Sequence, residues 1–228
     1  MISIITCTNR DHMMENIFQN YISQSLDNKE LIIILNNDSI NIDTWLSKAA
    51  NYSNVSVFQM PEWNTASECK MFASQQASYD YIAKFDDDDY YAPNYLESIW
   101  SIYQNNKQVD IIGKSSVYVY FQKSNFLGIL HSNKENQYTN RVVDSTLTFK
   151  KEVLSKVSFI RCKYGSDAKF QKDCIYNGYK IYSIDRFNHV IFRNESHNQH
   201  TWKITDKQLM DACTDLICTN DFKTIIHR

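Results

Sequence analysis

Tyr81-Ile82-Ala83-Lys84-Phe85-Asp86-Asp87-Asp88-Asp89-Tyr90-Tyr91-Ala92-Pro93 sits near the middle of the chain. Its first five residues read as the end of a buried strand over 79–85, and Pro93 opens a helix over 93–105. Taken alone, an acidic run is a solvated face. Here it follows a strand at once and precedes a helix. That places the carboxylates beyond the carboxyl end of a sheet strand, where open α/β sheets bind their ligands. Four adjacent carboxylates repel one another unless a cation neutralises them. Hard oxygen donors of this kind suit Mg2+ or Mn2+, held by one or two carboxylates with phosphate oxygens completing the shell. The expectation is a metal and phosphate site.

Towards the N-terminus the pattern alternates strand and helix. Residues 2–7 read as a strand, and Asn9-Arg10-Asp11 as a turn and helix start. The helix over 11–26 carries Met14, Ile17, Phe18, Tyr21 and Ile22 at helical spacing. Leu31-Ile32-Ile33-Ile34-Leu35 is an unbroken apolar run of strand length, the pattern of a strand covered on both faces. A helix over 44–50, a strand over 55–59 and a helix over 65–78 follow. Strands joined through helices make parallel right-handed crossovers. The fold class is therefore α/β, with a mainly parallel central sheet flanked by helices.

Towards the C-terminus the character changes. Residues 109–112, 115–121 and 126–130 are strand-like and closely spaced, as antiparallel additions would be. Helical pieces at 151–156 and 167–177 precede a strand at 180–184. A final amphipathic helix is expected through Leu209, Ala212, Cys213, Leu216 and Ile217. No repeat or linker divides the 228 residues, so one domain is expected over 1–228.

Composition excludes several classes. The formal net charge is -2, with no basic excess for a general nucleic-acid binder. No apolar run approaches the roughly 20 residues that cross a bilayer. Arg10-Asp11 interrupts the N-terminus before a secretory apolar region forms, so a cytoplasmic address is expected. The six cysteines form no C-x-x-C pair or zinc spacing and read as reduced thiols. Gly113, Gly128, Gly165 and Gly178 are the four glycines, and neither a P-loop nor a dinucleotide fingerprint can be written with them.

These residues resemble the inverting, family 2-type glycosyltransferases of the GT-A fold. Ile2-Ser3-Ile4-Ile5-Thr6-Cys7-Thr8-Asn9-Arg10 is similar to the family's first strand and its "T-x-N-R" end. Leu35-Asn36-Asn37-Asp38-Ser39 stands where the family has "V-D-D-G-S". Trp63-Asn64-Thr65-Ala66-Ser67-Glu68-Cys69-Lys70 occupies the "N-x-G…R-N" region. Asp86 to Asp89 with Pro93 matches "D-x-D-D-x-x-x-P". In the second half, residues 144–154 are similar to "G-x-x-x-F-R-R-E-V", Gly165-Ser166-Asp167 with Phe170 to "G-E-D-x-x-F", and residues 192–202 to a late "R-x…H-T-W" element.

The resemblance implies a GT-A-like fold, with a nucleotide-sugar-binding half over 1–106 and an acceptor-side half over 107–228. It implies transfer of a sugar, with inversion, from a nucleotide-diphospho sugar to a hydroxyl of a glycan or other acceptor. A UDP-sugar stands first among the donors, and polysaccharide biosynthesis is the implied setting. Asp86 and Asp88 would be the DxD pair, with Asp88 the direct ligand of Mn2+ or Mg2+. His200 would complete the metal shell, with His197 as its alternate three residues away. Asp167 would be the general base. Thr8, Asn9, Arg10, Asn36, Asp38, Lys70, Asp86 and Asp87 would line the donor site.

Two departures bear on this. Asn36 replaces the Asp that contacts the base, and Ser166 replaces the Glu beside the catalytic Asp. They motivate an alternative, a non-catalytic nucleotide-sugar or glycan-binding module on the same fold. A nucleotidyltransferase is the weaker third reading, because no Gly-rich basic loop follows the first strand.

Overall fold

A computed structural model describes residues 1–161, 165–193 and 204–228. The first half runs β1 (Ile2–Thr8), α1 (Met14–Ile22), β2 (Lys29–Leu35), α2 (Ile42–Ala49), β3 (Val55–Gln59), α3 (Ala66–Gln76) and β4 (Tyr81–Lys84). Beyond the acidic run come β5 (Tyr90–Tyr91), α4 (Tyr95–Asn105), β6 (Ile111–Gly113), β7 (Val117–Phe121) and β8 (Phe126–Leu130). The remainder is β9 (Gln137–Thr139), β10 (Thr148–Lys150), α5 (Ser166–Tyr176), β11 (Ile181–Ser183), β12 (His189–Arg193), α6 (Asp206–Asp211), β13 (Cys213–Cys218) and α7 (Lys223–Ile226).

The described strands form an eight-stranded sheet, ordered β3-β2-β1-β4-β10-β6-β11-β9, and a five-stranded one, β13-β8-β7-β12-β5. β1, β2, β3 and β4 are mutually parallel where they pair. The apolar run of β2 explains why this sheet lies at the centre. Leu31, Ile33 and Leu35 enter one core with Phe18, Trp45 and Tyr95, while Ile32 and Ile34 enter the other with Ala73 and Phe170. Alternate side chains of one strand thus feed two helix-covered faces, as a doubly covered parallel strand requires.

From β1 the chain builds outward through β2 and β3, then returns to place β4 on the other side of β1. The sheet order reverses between β1 and β4, and their carboxyl ends lie side by side. That crevice is the binding position of open α/β sheets. Antiparallel additions are present as expected: β10 lies antiparallel between β4 and β6, and β7 pairs antiparallel with β8. Two late strands depart from that pattern. β11 runs parallel to β6, and β12 parallel to β7.

Local expectations differ in three places. Residues 151–156, read as helical, form a short 3-10 turn, Lys151–Ser155. Pro93 precedes α4 rather than standing in its first turn, and Asn94 is the cap. The final amphipathic helix is replaced by α6 and the strand β13, which pairs antiparallel with β8. The reason lies in both sequence and partner. Cys213-Thr214-Asp215-Leu216-Ile217-Cys218 has the β-branched character that suits a strand, and β8 offers an otherwise open edge. A bulge between Thr214 and Ile217, where Asp215 takes φ 51, breaks strict alternation and produces the helix-like apolar spacing.

Arg193 closes β12. It is 2% exposed, and its Nε donates to Asp206 Oδ1 at 3.1 Å while its terminal nitrogen donates to the Ile204 carbonyl at 2.8 Å. The chain thus leaves β12 and re-enters before α6 at one side chain. No helix among the described residues is long and apolar enough to cross a membrane.

Candidate active site

The acidic loop between β4 and β5 is held by its backbone before its carboxylates are considered. Phe85 and Tyr91, at its two ends, stack with ring centroids 3.7 Å apart. The Tyr91 hydroxyl accepts from the Asp86 backbone N–H at 2.8 Å and donates to the Ser145 carbonyl at 2.7 Å. A polar ladder from α1 and the residues just beyond it satisfies the rest. Asn16 donates to the carbonyls of Asp87 and Asp89, Asn20 to that of Asp89, and Gln24 to those of Tyr91 and Ala92. Asn20 also accepts from the Tyr91 N–H. Asn16, Asn20 and Gln24 are spaced i, i+4, i+8, a polar stripe that the sequence offered and that went unread.

The four carboxylates have different fates. Asp87 is buried and accepts from Thr8 Oγ1 at 2.5 Å and from Arg10 Nε at 3.0 Å, and its other oxygen is paired with the Arg10 terminal nitrogen. The ends of β1 and β4 are locked together there. Asp88 lies 3.1 Å from the same guanidinium. Burial pushes its carboxyl up to about 7, with the neighbouring Asp89 adding and Arg10 opposing. Arg10 is itself half-buried, yet Asp87 and Asp88 outweigh that burial and hold it charged.

Asp89 turns inward. Its carboxylate accepts from the Phe192 N–H and meets His189 Nε2, both at 3.3 Å. Ser145 Oγ reaches the same ring nitrogen at 3.2 Å. Burial raises the Asp89 carboxyl, and burial, seconded by Lys114, drives the His189 ring down to about 3. The two groups meet as neutral partners. Asp89 is therefore an anchor between the acidic loop and β12.

Asp86 keeps its side chain at the surface, paired with the buried Lys84 at the end of β4. The Lys84 ammonium also donates to the Asp144 carbonyl at 3.1 Å and lies 3.9 Å from Asp167 Oδ2. Asp167 is the second residue of α5, and Gly165, with φ 75, takes the cap position. Lys70 Nζ, from α3, reaches Asp167 Oδ1 at 2.5 Å and Ser166 Oγ at 2.9 Å. Burial alone would raise the Asp167 carboxyl, but Lys84, Lys70 and Arg141 outweigh it and hold the carboxyl below its ordinary value. Asp144 moves the other way, raised by burial and by the charge on Asp167.

A hollow of about 420 Å³ opens over the carboxyl ends of β1, β2 and β3, lined by Asn9, Asn36, Asn37, Glu62 and Trp63. Asn36 donates to the Pro61 carbonyl at 2.8 Å, and Asn37 to the Asn9 carbonyl at 3.0 Å. Asp38 is exposed and not part of this lining. His197 and His200 lie outside the described residues. Lys84, Asp144 and Ser145 were not singled out in the sequence. Lys84 carried a signal, a charge inside an apolar strand next to the acidic run, and Asp144 and Ser145 open the segment 144–154 that resembles a family element.

The donor set fits a divalent cation. With Asp89 neutral, Asp86, Asp87, Asp88, Asp144 and Asp167 gather around Arg10, Lys70, Lys84 and Arg141, so one formal negative charge lacks a side-chain counterpart among these groups. Among the described residues no three His, Cys, Asp or Glu side chains converge as a ready-made metal group. An Mg2+-type site needs one or two carboxylates from the protein, with the remaining positions left to water and phosphate.

The profile of Glycosyl transferase family 2 matches residues 3–158. The chain belongs to glycosyl transferase family 2. The match takes in the Thr8, Arg10 and Asp86 to Asp89 cluster and ends before Asp167. Solved structures of similar fold include S. aureus TarS 1-349 in complex with UDP-GlcNAc, at TM-score 0.71 and 14% identity, covering 92% of this chain and 64% of that one. The same protein in complex with UDP gives TM-score 0.67 at 16% identity, covering 85% and 60%. Mannosyltransferase PcManGT from Pyrobaculum calidifontis, in complex with GDP-Man and Mn2+, gives 0.62 at 13% identity, covering 87% and 58%. These likenesses establish the GT-A type of α/β fold for the family 2 chain, which spans less than two thirds of each of those structures. No curated protein sequence matches it.

Proposed function

We propose that the chain is a nucleotide-sugar glycosyltransferase that moves a sugar, with inversion, from a nucleotide-diphospho sugar to a hydroxyl acceptor. A UDP-sugar is the first donor to consider, and a glycan hydroxyl the first acceptor. The observation that carries this reading is the convergence of Asp86 and the ionised Asp167 on Lys84, with Asp88 held beside Arg10 on the same loop, at the sheet's switch point. Family membership and the solved nucleotide-sugar complexes of similar fold support it.

In this reading Asp88 and Asp86 would hold Mn2+ or Mg2+, with His200 or His197 as a further ligand. The cation would supply Lewis-acid stabilisation of the departing diphosphate. Asn9, Asn36, Asn37 and Trp63 receive the base in the hollow above β1, β2 and β3. The Asn36 amide both donates and accepts, so it serves where the family's carboxylate stood. Asp167 takes the proton of the acceptor hydroxyl as that oxygen attacks the anomeric carbon from the face opposite the diphosphate. Its depressed pKa keeps it ionised at neutral pH. It is a weak base in the resting site, and accepts the proton once bond formation has made the hydroxyl acidic.

Thermal unfolding with UDP, GDP, CDP and CMP, each with and without Mn2+, tests the donor site. Ligand at 100 times its Kd stabilises by about 2.7 kcal/mol. One nucleotide should raise Tm only when Mn2+ is present, and Asp88→Asn should abolish that rise. No rise with any nucleotide would sink the donor-site reading. Asp167→Asn should keep the rise and lose turnover by about 10²–10⁴-fold, whereas in a binding module neither property would change.

A further inference from the structure

Lys70 was expected to reach the donor diphosphate, and its surroundings point elsewhere. The side chain leaves α3 on its buried face and is 4% exposed. Its ammonium sits 5.0 Å from the centre of the Phe159 ring, itself stacked on Phe170 at 4.1 Å. Beyond that aromatic seat it has two polar partners, Ser166 Oγ at 2.9 Å and Asp167 Oδ1 at 2.5 Å. These three contacts hold the ammonium. All its polar reach goes into the first turn of α5.

The two oxygens of Asp167 are therefore unlike. Oδ1 is taken by Lys70. Oδ2 has Lys84 at 3.9 Å, too far for a hydrogen bond, and accepts none among the described residues. We infer that Lys70 is the positioning residue of the base: it pins Asp167 by Oδ1 and leaves Oδ2 as the atom that takes the acceptor proton. This rests on the reading of Asp167 as base. In the step, Oδ2 receives the hydroxyl proton as the new carbon–oxygen bond forms, and the nucleoside diphosphate leaves with the electrons of the broken bond.

Ser166 belongs to the same device. The family pattern has Glu at this place, and a second carboxylate beside Lys70 would compete with Asp167 for its ammonium. The hydroxyl of Ser166 accepts from Lys70 without adding charge, so the cation's charge is directed at Asp167. The other groups facing Asp167 are Lys84 from β4, and Arg141 and Asp144 from the turn before β10, with Asp86 behind Lys84. Lys84 and Arg141 remain in a Lys70 variant, so the effect of Lys70 can be read separately.

Carbon NMR of the full chain labelled at aspartate Cγ measures this directly, with Asp167→Asn assigning the resonance. In the wild type, Asp167 should titrate below the ordinary carboxylate range. Lys70→Met, a near-isostere that suits the Phe159 seat, should move the titration up by about 1–3 pH units, and Lys70→Arg should restore most of the shift. An unchanged titration in Lys70→Met overturns the inference. So does a wild-type Asp167 that titrates at or above its ordinary value, a result that needs no folded Lys70 variant. The nucleotide and Mn2+ unfolding series reports on the functional reading independently. Where a nucleotide sugar is consumed, the acid limb of kcat should move with the carboxyl. A limb that stays while the carboxyl moves removes Asp167 as base.

Discussion

Arg10 grips Asp87 with two guanidinium nitrogens, Nε lying 3.0 Å from Oδ2 across 77 residues of sequence. Since Thr8 donates to the same carboxylate, the loops after β1 and β4 are one unit. Arg10→Ala leaves Asp87 buried without its counter-ion and should cost about 3 kcal/mol of stability by urea unfolding. Arg10→Lys should recover only part of it, because an ammonium cannot reproduce the planar fork. Equal stability of Arg10→Ala and the wild type would show that the pair contributes nothing.

Asn20 joins α1 to the acidic loop through a hydrogen bond in each direction. Asn20→Ala should lose about 2 kcal/mol, because the Tyr91 N–H is left buried without an acceptor. It should also weaken the Mn2+-dependent nucleotide effect, since the loop carrying Asp86 and Asp88 loses a support. Calorimetry of nucleotide binding, compared at a temperature where both proteins are folded, checks the second part.

His189 gives a pH dependence of known sign. Its folded value of about 3 lies below the ordinary 6.5, so unfolding takes up a proton in between. The stability linked to this ring is complete above pH 6.5 and lost as pH falls towards 3. His189→Gln cannot take up that proton. The stability difference between wild type and variant should therefore shrink as pH drops from 7 to 4.5. A difference independent of pH would refute a neutral buried ring.

Gly113 ends β6 against the turn before β10. A Cβ there would meet Val142 Cγ2 at 2.6 Å and Thr146 Oγ1 at 3.0 Å. Gly113→Ala should destabilise by about 1–3 kcal/mol through overpacking, measured by denaturant midpoint. A neutral result would mean that the turn gives way freely.

Among the described cysteines Cys218 is exposed, while burial raises the thiols of Cys69 and Cys213 to about 11 and of Cys174 to about 12, with Cys7 higher still. Iodoacetamide at pH 8, followed by peptide mass mapping, should label Cys218 first of these five. Cys69 and Cys174, the two buried thiols, should react only on unfolding. Early labelling of Cys69 would contradict its burial.

The strands of the parallel half were legible because their signal is local. Residues 31–35 spell a doubly covered strand, and 55–59 and 126–130 are bounded as the sequence placed them. β13 was not legible, because its helix-like spacing is created by a bulge and its strand state by β8, 83 residues earlier at its Cys213–Leu130 pair. The site divides in the same way. The acidic run announces itself, yet nothing in four identical letters says that Asp87 is a clamp, Asp89 an anchor, Asp86 the partner of Lys84 and Asp88 a second partner of Arg10. Those roles come from Thr8, Arg10, His189 and Lys84, which only the sheet order brings near. Lys70 was found as a residue, but its contact with Asp167 was not, since that partner lies 97 positions away.

At Arg193, one side chain ties the end of β12 to the start of α6 through Ile204 and Asp206. Closure entropy grows slowly with the length of chain between two tied points, by about 0.6 kcal/mol per doubling. Insertions between Arg193 and Ile204 in sequence therefore weaken this tie little, whereas loss of Arg193 severs it and leaves Asp206 without that partner.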